Sequence, residues 1–279
     1  MALSAQEFAF VRDLVRRESA IVLGPGKEYL VETRLLPLAR RSGAATVSEF
    51  VTRAQQRPDA GLNRGIVEAL TTNETSWFRD QEPFAVLRDT VLPELRASRS
   101  GTQPLRVWSA ACSSGQETYS LALTMQETLP AGCGYEILGT DISTEMLARA
   151  EAGRFSQLEM NRGLPAAMLV KYFEREGAHW QVSPALRRGI SFRMVNLAGP
   201  LPSLAPFDVI FLRNVLIYFD VETKREVLRK VRGLLRPDGW LFLGSAETTI
   251  GIDGDFERVV ARRTSVYRPG AGHRALLGA

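Results

Sequence analysis

The sequence predicts an α/β protein that begins with an all-helical segment. From about residue 104, strand-like and helix-like segments alternate, whereas residues 1–70 carry apolar side chains at helical spacing. The chain has 279 residues, of which 45% are hydrophobic and 24% charged, so it has enough apolar material for one large domain or two smaller ones. Repeated alternation of strands and helices is typical of a mostly parallel sheet with helices on both faces.

The N-terminal segment is expected to contain four helices. Ser4 and Glu7 match a capping box at the start of the first helix, which continues with apolar residues at helical spacing, namely Phe8, Val11, Leu14 and Val15. A second helix is predicted from about Gly26 to Arg41, and Pro37 is expected to kink or end it. The stretches TVSEFVTRAQ and GLNRGIVEAL predict the other two helices.

The α/β part is expected to contain seven strands in its main sheet. They are predicted at residues 104–111, 135–142, 190–197, 207–214 and 240–246, followed by an antiparallel pair with the sequences FERVVARR and TSVYRP. Helices are predicted at 117–128, at 143–153 with Ser143 as the cap, and at 220–236, where the turn PDG closes the helix. Ligands of such sheets bind beyond the carboxyl ends of the strands, where the strand order reverses.

The composition excludes several classes of protein. No apolar run approaches the ~20 residues of a membrane span, and the N-terminus lacks a basic-then-apolar signal sequence, so we expect a cytoplasmic protein without membrane insertion. The cysteines Cys112 and Cys133 and the histidines His179 and His273 provide neither a disulfide framework nor a metal site. The net charge of +4 favours an acidic partner only slightly, because 35 basic residues face 31 acidic ones.

The first predicted strand ends in SAACSSGQE, a run of small residues that contains Gly115 and Glu117. This run has neither the G-x-G-x-x-G spacing of a pyrophosphate site nor the pattern of a phosphate-binding loop. The second strand ends in Asp141, where an acidic residue usually binds ribose hydroxyl groups. The sequence therefore predicts a site for a nucleoside without a pyrophosphate, such as S-adenosylmethionine, with Glu117 near its amino group. The alternative is that residues 109–115 form only a tight turn and that Asp141 only caps a helix.

Six longer stretches are more specific, and they follow one another along nearly the whole chain: TTNETSWFRD (71–80), WSAACSSGQETYSLAL (108–123), LGTDIS (138–143), VNL (195–197), FLRNVLIYFD (211–220) and RPDGWLFLGSAE (236–247). They resemble the successive motifs of the CheR family of chemoreceptor glutamate methyltransferases, which use S-adenosylmethionine. The resemblance implies a Rossmann-like S-adenosylmethionine-dependent methyltransferase fold with a mostly parallel seven-stranded sheet and a small β-subdomain insert at about 154–189. It also implies a helical receptor-recognition domain at 1–75, a linker and helix at 76–103, and a catalytic domain at 104–279.

The resemblance also assigns roles to individual residues. Those assigned to the cofactor are Asn73, Thr75, Arg79, Gly115, Glu117, Asp141, Asn196, Leu197, Arg213 and Asn214. Asn196 and Leu197 should flank the adenine, while Arg79 and Tyr218 are assigned to the catalytic site, with Tyr218 beside the transferred methyl group. Three of the assigned residues have plainer alternatives: Arg79 as a surface ion pair, Tyr218 as a core residue, and Asn73 as a helix cap.

The chain departs from the family pattern at two places. Thr118 stands where the family usually has proline, which is expected to leave Glu117 in place but to loosen the start of the helix. Before Arg79 the chain reads Ser-Trp-Phe instead of a pair of phenylalanines, a change that we expect to be tolerated.

The methyl acceptor is expected to be a carboxylate. No histidine lies near any motif, and RNVLIY stands where enzymes that methylate exocyclic amines have Asp/Asn-Pro-Pro-Tyr. A glutamate carboxylate is already ionised near pH 7, so it needs in-line placement but no general base. The product besides the methyl ester would be S-adenosylhomocysteine. The alternatives are a nucleic-acid methyltransferase and a non-catalytic S-adenosylmethionine-binding signalling module.

The expected partner is the cytoplasmic helical region of a chemoreceptor, with no nucleic acid involved. Lys27, Arg34 and Arg41 are seven residues apart, which places them along one helix face suited to an acidic helix. The alternative for this face is an ordinary solvated surface. In some family members the small β-subdomain docks a receptor's C-terminal peptide, but the short turn EREGAHWQV lacks a glycine-rich extension, so we expect no such tether here. The protein is expected to be a monomer.

Overall fold

A computed structural model describes residues 3–57, 59–99 and 103–270. The chain forms two compact units. The first takes residues up to Thr72 together with Asn196–Pro200 and Tyr218–Thr223, and the second takes Asn73–Val195, Leu201–Ile217 and the residues from Lys224 onward. Residues 271–279, which end the predicted catalytic domain and contain His273, lie outside the described residues.

The first unit contains the four predicted helices, at Ala5–Ser19, Glu28–Arg41, Val47–Gln56 and Ala60–Leu70. The capping box at the first is confirmed, because the Glu7 amide donates to Ser4 Oγ at 3.3 Å and the Ser4 amide donates to Glu7 Oε2 at 2.7 Å. The predicted apolar face is also confirmed, since all four of its residues are buried: Phe8, Val11, Leu14 and Val15.

The second helix ends at Arg41, as predicted, and Pro37 lies inside it without ending it. Proline removes one backbone hydrogen bond from a helix, which costs most where the orphaned carbonyl is buried. Here Pro37 and Thr33, four residues before it, are both exposed, so water can reach that carbonyl. The opposite face stays packed through the buried side chains of Val31 and Ala39.

The second unit is built on a sheet of seven strands, as predicted. Numbered along the chain, the strands of the protein are β1 (Leu105–Ala110), β2 (Tyr135–Asp141), β3 (Arg154–Ser156), β4 (Phe173–Glu176), β5 (His179–Val182), β6 (Ile190–Met194), β7 (Phe207–Leu212), β8 (Leu235–Leu243), β9 (Phe256–Ala261) and β10 (Thr264–Pro269). The main sheet has the order β6-β2-β1-β7-β8-β10-β9. In this sheet the neighbouring strands β6, β2, β1, β7 and β8 are parallel, and β10 is antiparallel to both β8 and β9. The strand order reverses at β1, where a ligand site is expected.

Helices precede or connect these strands. They lie at Glu82–Val86, Leu92–Ser98, Gln116–Thr128, Thr144–Ala152, Gln157–Met160, Ala166–Tyr172, Pro184–Arg187 and Val221–Gly233, with a π-helical turn at Leu87–Val91 and a 3₁₀ turn at Leu216–Tyr218. Ser143 caps its helix as predicted, because its hydroxyl accepts from the Met146 amide. None of the helices among the described residues is long and apolar enough to cross a membrane.

The insert forms a separate antiparallel sheet with the strand order β3-β5-β4, in agreement with the predicted small β-subdomain. Trp77 packs edge-on against Phe155 of β3 and Phe173 of β4, with ring centroids 5.0 and 5.3 Å apart. The Trp77 amide donates to the carbonyl of Arg162 at 3.1 Å. The stretch that begins at Asn73 is therefore anchored to the insert through the buried Trp77 ring.

Several predicted element ends differ from the structure. The helix predicted at 220–236 ends at Gly233, and β8 begins at Leu235, so the PDG residues lie within the strand and not in a turn before it. Leu235 pairs with Phe207 and Trp240 pairs with Val209, which leaves extra residues between the two pairs as a bulge. Strands β6 and β7 also end before their predicted limits, at Met194 and Leu212.

Candidate active site

The turn that follows β1 is tight because of its backbone conformation and its neighbours. Ala111, Ser113 and Gly115 have positive φ angles of 64°, 51° and 95°. A Cβ atom on Gly115 would lie 2.9 Å from the Cβ atom of Ala150. Only glycine combines the required φ with such a close approach. The predicted tight turn is thus present, and it brings backbone close to the carboxyl edge of the sheet.

Glu117 lies in the first turn of the helix that starts at Gln116, and its side chain is only 12% exposed. Its Oε1 accepts from Ser109 Oγ at 2.8 Å, and its Oε2 lies 3.0 Å from Nη1 of Arg213. Burial raises the pKa of Glu117, and the Arg213 guanidinium and the Ser109 hydroxyl oppose that shift. The result is a carboxylate held in a fixed orientation in a largely water-free environment.

Arg213 follows β7 and its side chain is fully buried. Its Nη2 lies 2.6 Å from Asp80 Oδ2 and donates to the carbonyl of Arg79 at 3.0 Å. One buried cation therefore serves the carboxylates of both Glu117 and Asp80. The two Nη atoms contact protein groups, as burial of a charge requires, whereas the buried Nε has no hydrogen-bond partner among the described residues. The assignment of Arg213 to the cofactor stays a prediction. Through Nη1, Arg213 holds the Glu117 carboxylate in place.

Asp141 ends β2 and is 6% exposed. Its Oδ2 accepts from the backbone amide of Ser113 at 2.8 Å, and its Oδ1 accepts from that of Ser143 at 3.0 Å. The first bond ties the tip of β2 to the turn after β1, and the second reaches the residue that caps the next helix. Asp141 is not the cap of that helix, because the cap is Ser143, and its assignment to the ribose hydroxyl groups stays a prediction.

The segment before the first helix of the second unit contains Asn73, Thr75 and Arg79. The Ser113 hydroxyl donates to the carbonyl of Asn73 at 2.8 Å, so this segment contacts the turn after β1. Arg79 Nη1 lies 2.9 Å from Glu74 Oε2 and donates to the Glu74 carbonyl at 3.1 Å. The ion pair that the plainer alternative predicts for Arg79 is thus present. Thr75, the residue after Glu74, is half-buried.

The same segment has an unusual backbone. Phe78, Asp80 and Gln81 have positive φ angles of 47°, 66° and 49°, although none is glycine. Such conformations cost free energy and persist only where surrounding contacts impose them. The ion pair of Asp80 with Arg213 and the bond from the Phe78 amide to Ser120 Oγ, at 3.0 Å, are two such contacts.

Asn214, the next residue after Arg213, also has a positive φ, of 57°. Asparagine tolerates this left-handed conformation better than most residues. A residue in that conformation cannot continue a strand, which explains why β7 ends at Leu212. The second unit thus brings together the predicted residues at the ends of β1, β2 and β7 with those of the Asn73–Arg79 segment.

The other predicted site residues belong to the first unit. Asn196 Nδ2 donates to the carbonyl of Glu18 at 2.7 Å, and its Oδ1 accepts from the Ala198 amide at 3.0 Å. Leu197 is buried. Tyr218 is half-buried, and its carbonyl accepts from the amide of Val22 at 3.0 Å. Their expected contacts with adenine and the methyl group remain predictions.

The three basic residues predicted to bind a receptor differ in their surroundings. Lys27 and Arg41 are exposed. Arg34 is half-buried, and its guanidinium donates to the carbonyls of Leu70 and Thr71 at 2.9 and 2.8 Å. These bonds satisfy carbonyl groups at the end of a helix. Arg34 therefore has a structural role that spacing along a helix could not indicate.

Sequence reasoning did not assign three polar residues of this region: Ser109, Asp80 and Glu247. Ser109 donates to Glu117, and Asp80 pairs with Arg213. Glu247 follows β8 and accepts hydrogen bonds from backbone amides of the loop after β7. A signal for Glu247 was available, because an acidic residue shortly after a buried parallel strand lies near the carboxyl edge of the sheet.

The residues present fit S-adenosylmethionine. A carboxylate has about four acceptor positions, and Glu117 uses two of them for Ser109 and Arg213, so it can also accept from the ammonium group of a methionine moiety. The residues of the turn before Gly115 are small, which suits a ligand that contacts the backbone. Among the described residues no group of histidine, cysteine, aspartate and glutamate side chains could bind a metal ion.

Comparison with known proteins agrees with this geometry. Residues 73–265 match the family model described as "CheR methyltransferase, SAM binding domain", and residues 6–71 match "CheR methyltransferase, all-alpha domain". Chemotaxis protein methyltransferase 1 of Pseudomonas aeruginosa is 42% identical over 274 residues, which is 96% of this chain and 99% of that protein. Chemotaxis protein methyltransferase Cher2 of Pseudomonas putida is 39% identical over the same shares of the two chains. The chemotaxis protein methyltransferase of Escherichia coli is 34% identical over 96% of this chain and 92% of that protein.

The two family models match consecutive parts of the chain, and the relatives align with it over nearly their whole lengths. The chain therefore belongs to the CheR methyltransferase family, and S-adenosylmethionine is its cofactor.

Proposed function

We propose that the protein transfers a methyl group from S-adenosylmethionine to the side-chain carboxylate of specific glutamates on chemoreceptors. The products are a glutamate methyl ester and S-adenosylhomocysteine, which makes the protein a protein-glutamate O-methyltransferase. The observation that carries the proposal is the buried Glu117 carboxylate, held by Arg213 and Ser109 beside the tight turn at Gly115. The names of the relatives, all chemotaxis methyltransferases, support the receptor as the substrate.

Several protein groups would bind the cofactor. Glu117 accepts from its ammonium group, and Asp141 accepts from the ribose hydroxyl groups. Arg213 keeps Glu117 ionised and oriented, since an unpaired buried carboxylate would take up a proton. The Ser113–Asp141 bond fixes the turn between them. When bound, S-adenosylmethionine supplies a methyl group on a sulfonium sulfur, and the carbon–sulfur bond breaks as the carbon–oxygen bond of the ester forms.

The acceptor chemistry requires orientation and not proton removal. A receptor glutamate is ionised near pH 7, so its oxygen can attack the methyl carbon directly. Placement of the reacting atoms in line can lower the barrier by ~7–11 kcal/mol. Arg79 and Tyr218 are the residues that we assign to this placement. Because Glu74 already shares the charge of Arg79, that guanidinium can orient the incoming carboxylate without quenching its reactivity.

The partner surface that we propose lies on the helix Glu28–Arg41 and its start. Lys27 and Arg41 are exposed and suit an acidic receptor helix in the cytoplasm, whereas Arg34 supports the helical unit itself. The strands β4 and β5 are joined by a two-residue turn, Gly177–Ala178, which supports our expectation that no receptor peptide is tethered there. We expect the protein to act as a monomer.

The proposed reaction predicts a base-labile label. Incubation of the protein with receptor cytoplasmic fragments and methyl-labelled S-adenosylmethionine should label glutamates, and alkali should release the label as methanol. Mass spectrometry of the receptor then identifies the modified residues. Label that resists alkali would contradict the ester. Binding to duplex DNA or RNA that falls steeply with added salt would favour the nucleic-acid methyltransferase, and cofactor binding without any labelling in a single turnover would favour the signalling module.

Arg79→Ala and Tyr218→Phe should each lower turnover at least tenfold while the melting temperature stays near that of the wild type. The reason is that loss of one orienting hydrogen bond can misplace the reacting atoms, which can cost ~10²-fold in rate. Arg79→Ala should also weaken cofactor binding more than Tyr218→Phe does. Steady-state kinetics and titration calorimetry measure both effects.

Matched controls are Arg88→Ala and Tyr135→Phe. Arg88 pairs with the neighbouring Asp89, and the Tyr135 hydroxyl accepts from Gln126. The two control substitutions therefore remove the same chemical groups from positions outside the proposed site. These controls should keep wild-type turnover. Normal turnover in Arg79→Ala and Tyr218→Phe as well would return both residues to a structural role.

A further inference from the structure

The carboxylate of Glu247 accepts hydrogen bonds from four backbone amides. Its Oε2 accepts from Asn214 and from Gly244, both at 2.7 Å, and its Oε1 accepts from Val215 at 2.9 Å and from Ile217 at 3.3 Å. Three of these amides follow β7, and the fourth, that of Gly244, directly follows β8. One side chain thus joins the loops that follow two adjacent parallel strands.

The arrangement leaves Glu247 no capacity for a ligand. An ionised carboxylate has about four acceptor positions, and the four amides use all of them. Charge-assisted bonds of this kind are stronger than those between neutral groups. Glu247 is therefore suited to hold backbone in place and not to contact a substrate or act as a base.

The absence of a side chain at Gly244 independently supports this arrangement of the Glu247 carboxylate. A Cβ atom there would lie 2.6 Å from Glu247 Oε2 and 2.8 Å from Asn214 Nδ2. The backbone at the end of β8 therefore has to lack a side chain for the carboxylate to reach the neighbouring loop. Asn214 and Gly244 lie just after the paired residues Leu212 and Leu243, at the carboxyl edge of the sheet.

The loop that Glu247 holds begins with Arg213 and Asn214. Arg213 makes the ion pair that orients Glu117, and Asn214 has the left-handed conformation that turns the chain at this point. A shift of the Asn214 amide would move the Arg213 backbone directly, since the two residues are adjacent. The chain of contacts therefore runs from Glu247 through the loop to Arg213 and then to Glu117.

We propose that Glu247 is a positioning residue for the cofactor site, acting through the loop Arg213–Ile217 on Glu117. The proposal rests on the role of Glu117 in binding the cofactor's ammonium group, which is part of the proposed function. Glu247→Gln keeps the size of the side chain but turns an amide group toward two backbone amides that need an acceptor. Gly244→Ala leaves Glu247 intact and displaces its carboxylate. Both changes should therefore disturb the same loop.

The test is the affinity for S-adenosylhomocysteine, measured by titration calorimetry at a temperature where every variant is folded. We expect Glu247→Gln and Gly244→Ala to raise the dissociation constant about tenfold or more, because each loosens the support of Glu117. The matched control is Glu159→Gln. Glu159 also accepts from a backbone amide, that of Ser156 at 2.8 Å, but it lies in the small sheet region, so this variant should bind like the wild type.

A purely structural role for Glu247 makes a different prediction. Both variants would then melt at a lower temperature yet bind S-adenosylhomocysteine within about twofold of the wild type, and that result would overturn the proposal. The binding measurement requires no methyl transfer. If the wild-type protein failed to form a glutamate ester, the proposed reaction would fall, while the ratio of dissociation constants would still decide the role of Glu247.

Discussion

Arg213→Met should lower the free energy of unfolding by about 3 kcal/mol. Removal of one member of a buried ion pair leaves the other charge without its partner, which typically costs ~3–5 kcal/mol. We expect the lower end of that range, because Glu117 keeps its bond from Ser109 and Asp80 is partly exposed, so water can compensate its charge. Urea unfolding at pH 7 measures the loss. Methionine replaces most of the arginine stem, so cavity formation contributes little.

The matched control is the double variant Arg213→Met with Glu117→Gln. It removes both charges, so it should recover much of the stability that Arg213→Met loses. The pH dependence gives a second check. Without Arg213 the pKa of Glu117 should rise further above its ordinary value, so the folded state binds a proton more readily than the unfolded state. The stability loss should therefore be greatest above that pKa and should shrink as the pH falls through it. A loss that does not depend on pH or on Glu117 would contradict this account.

The fold could be predicted because its signals are local. The central strands β1 and β7 are short, mostly apolar runs, and the helices that follow Ser4 and Ser143 have their own caps. The predictions failed where an element's end depends on a neighbour. Strand β8 starts at Leu235, earlier than predicted, because that residue pairs with Phe207.

The site could be predicted only as a set of positions. The sequence indicated which residues follow β1, β2 and β7, since the ends of parallel strands meet at one edge. It could not indicate which side chains bond to one another. Arg213 pairs with Glu117, 96 residues away, and Arg34 bonds to Leu70, 36 residues away. Both arginines looked available for ligands in the sequence, and both satisfy protein groups in the structure.

Asp141→Ala should weaken the binding of S-adenosylmethionine by ~1.5–3 kcal/mol, which is roughly a 10- to 150-fold higher dissociation constant. Two losses contribute. The ribose hydroxyl groups lose a charged acceptor, and the amides of Ser113 and Ser143 lose the carboxylate that they bond to. Titration calorimetry with one site per chain measures the change. Absence of binding to the wild-type protein at millimolar cofactor would contradict the site itself.

A ligand that lacks ribose hydroxyl groups separates the two losses. If Asp141 binds the ribose, a deoxyribose analogue of S-adenosylhomocysteine should bind the wild-type protein more weakly than S-adenosylhomocysteine does, while Asp141→Ala should bind both ligands about equally. If Asp141 only anchors the turn through Ser113, the variant should weaken both ligands by the same factor, and the two effects would add. Asp141→Asn provides the intermediate case, because its amide keeps one acceptor oxygen but removes the charge. Its affinity for S-adenosylhomocysteine should therefore fall between those of the wild type and Asp141→Ala.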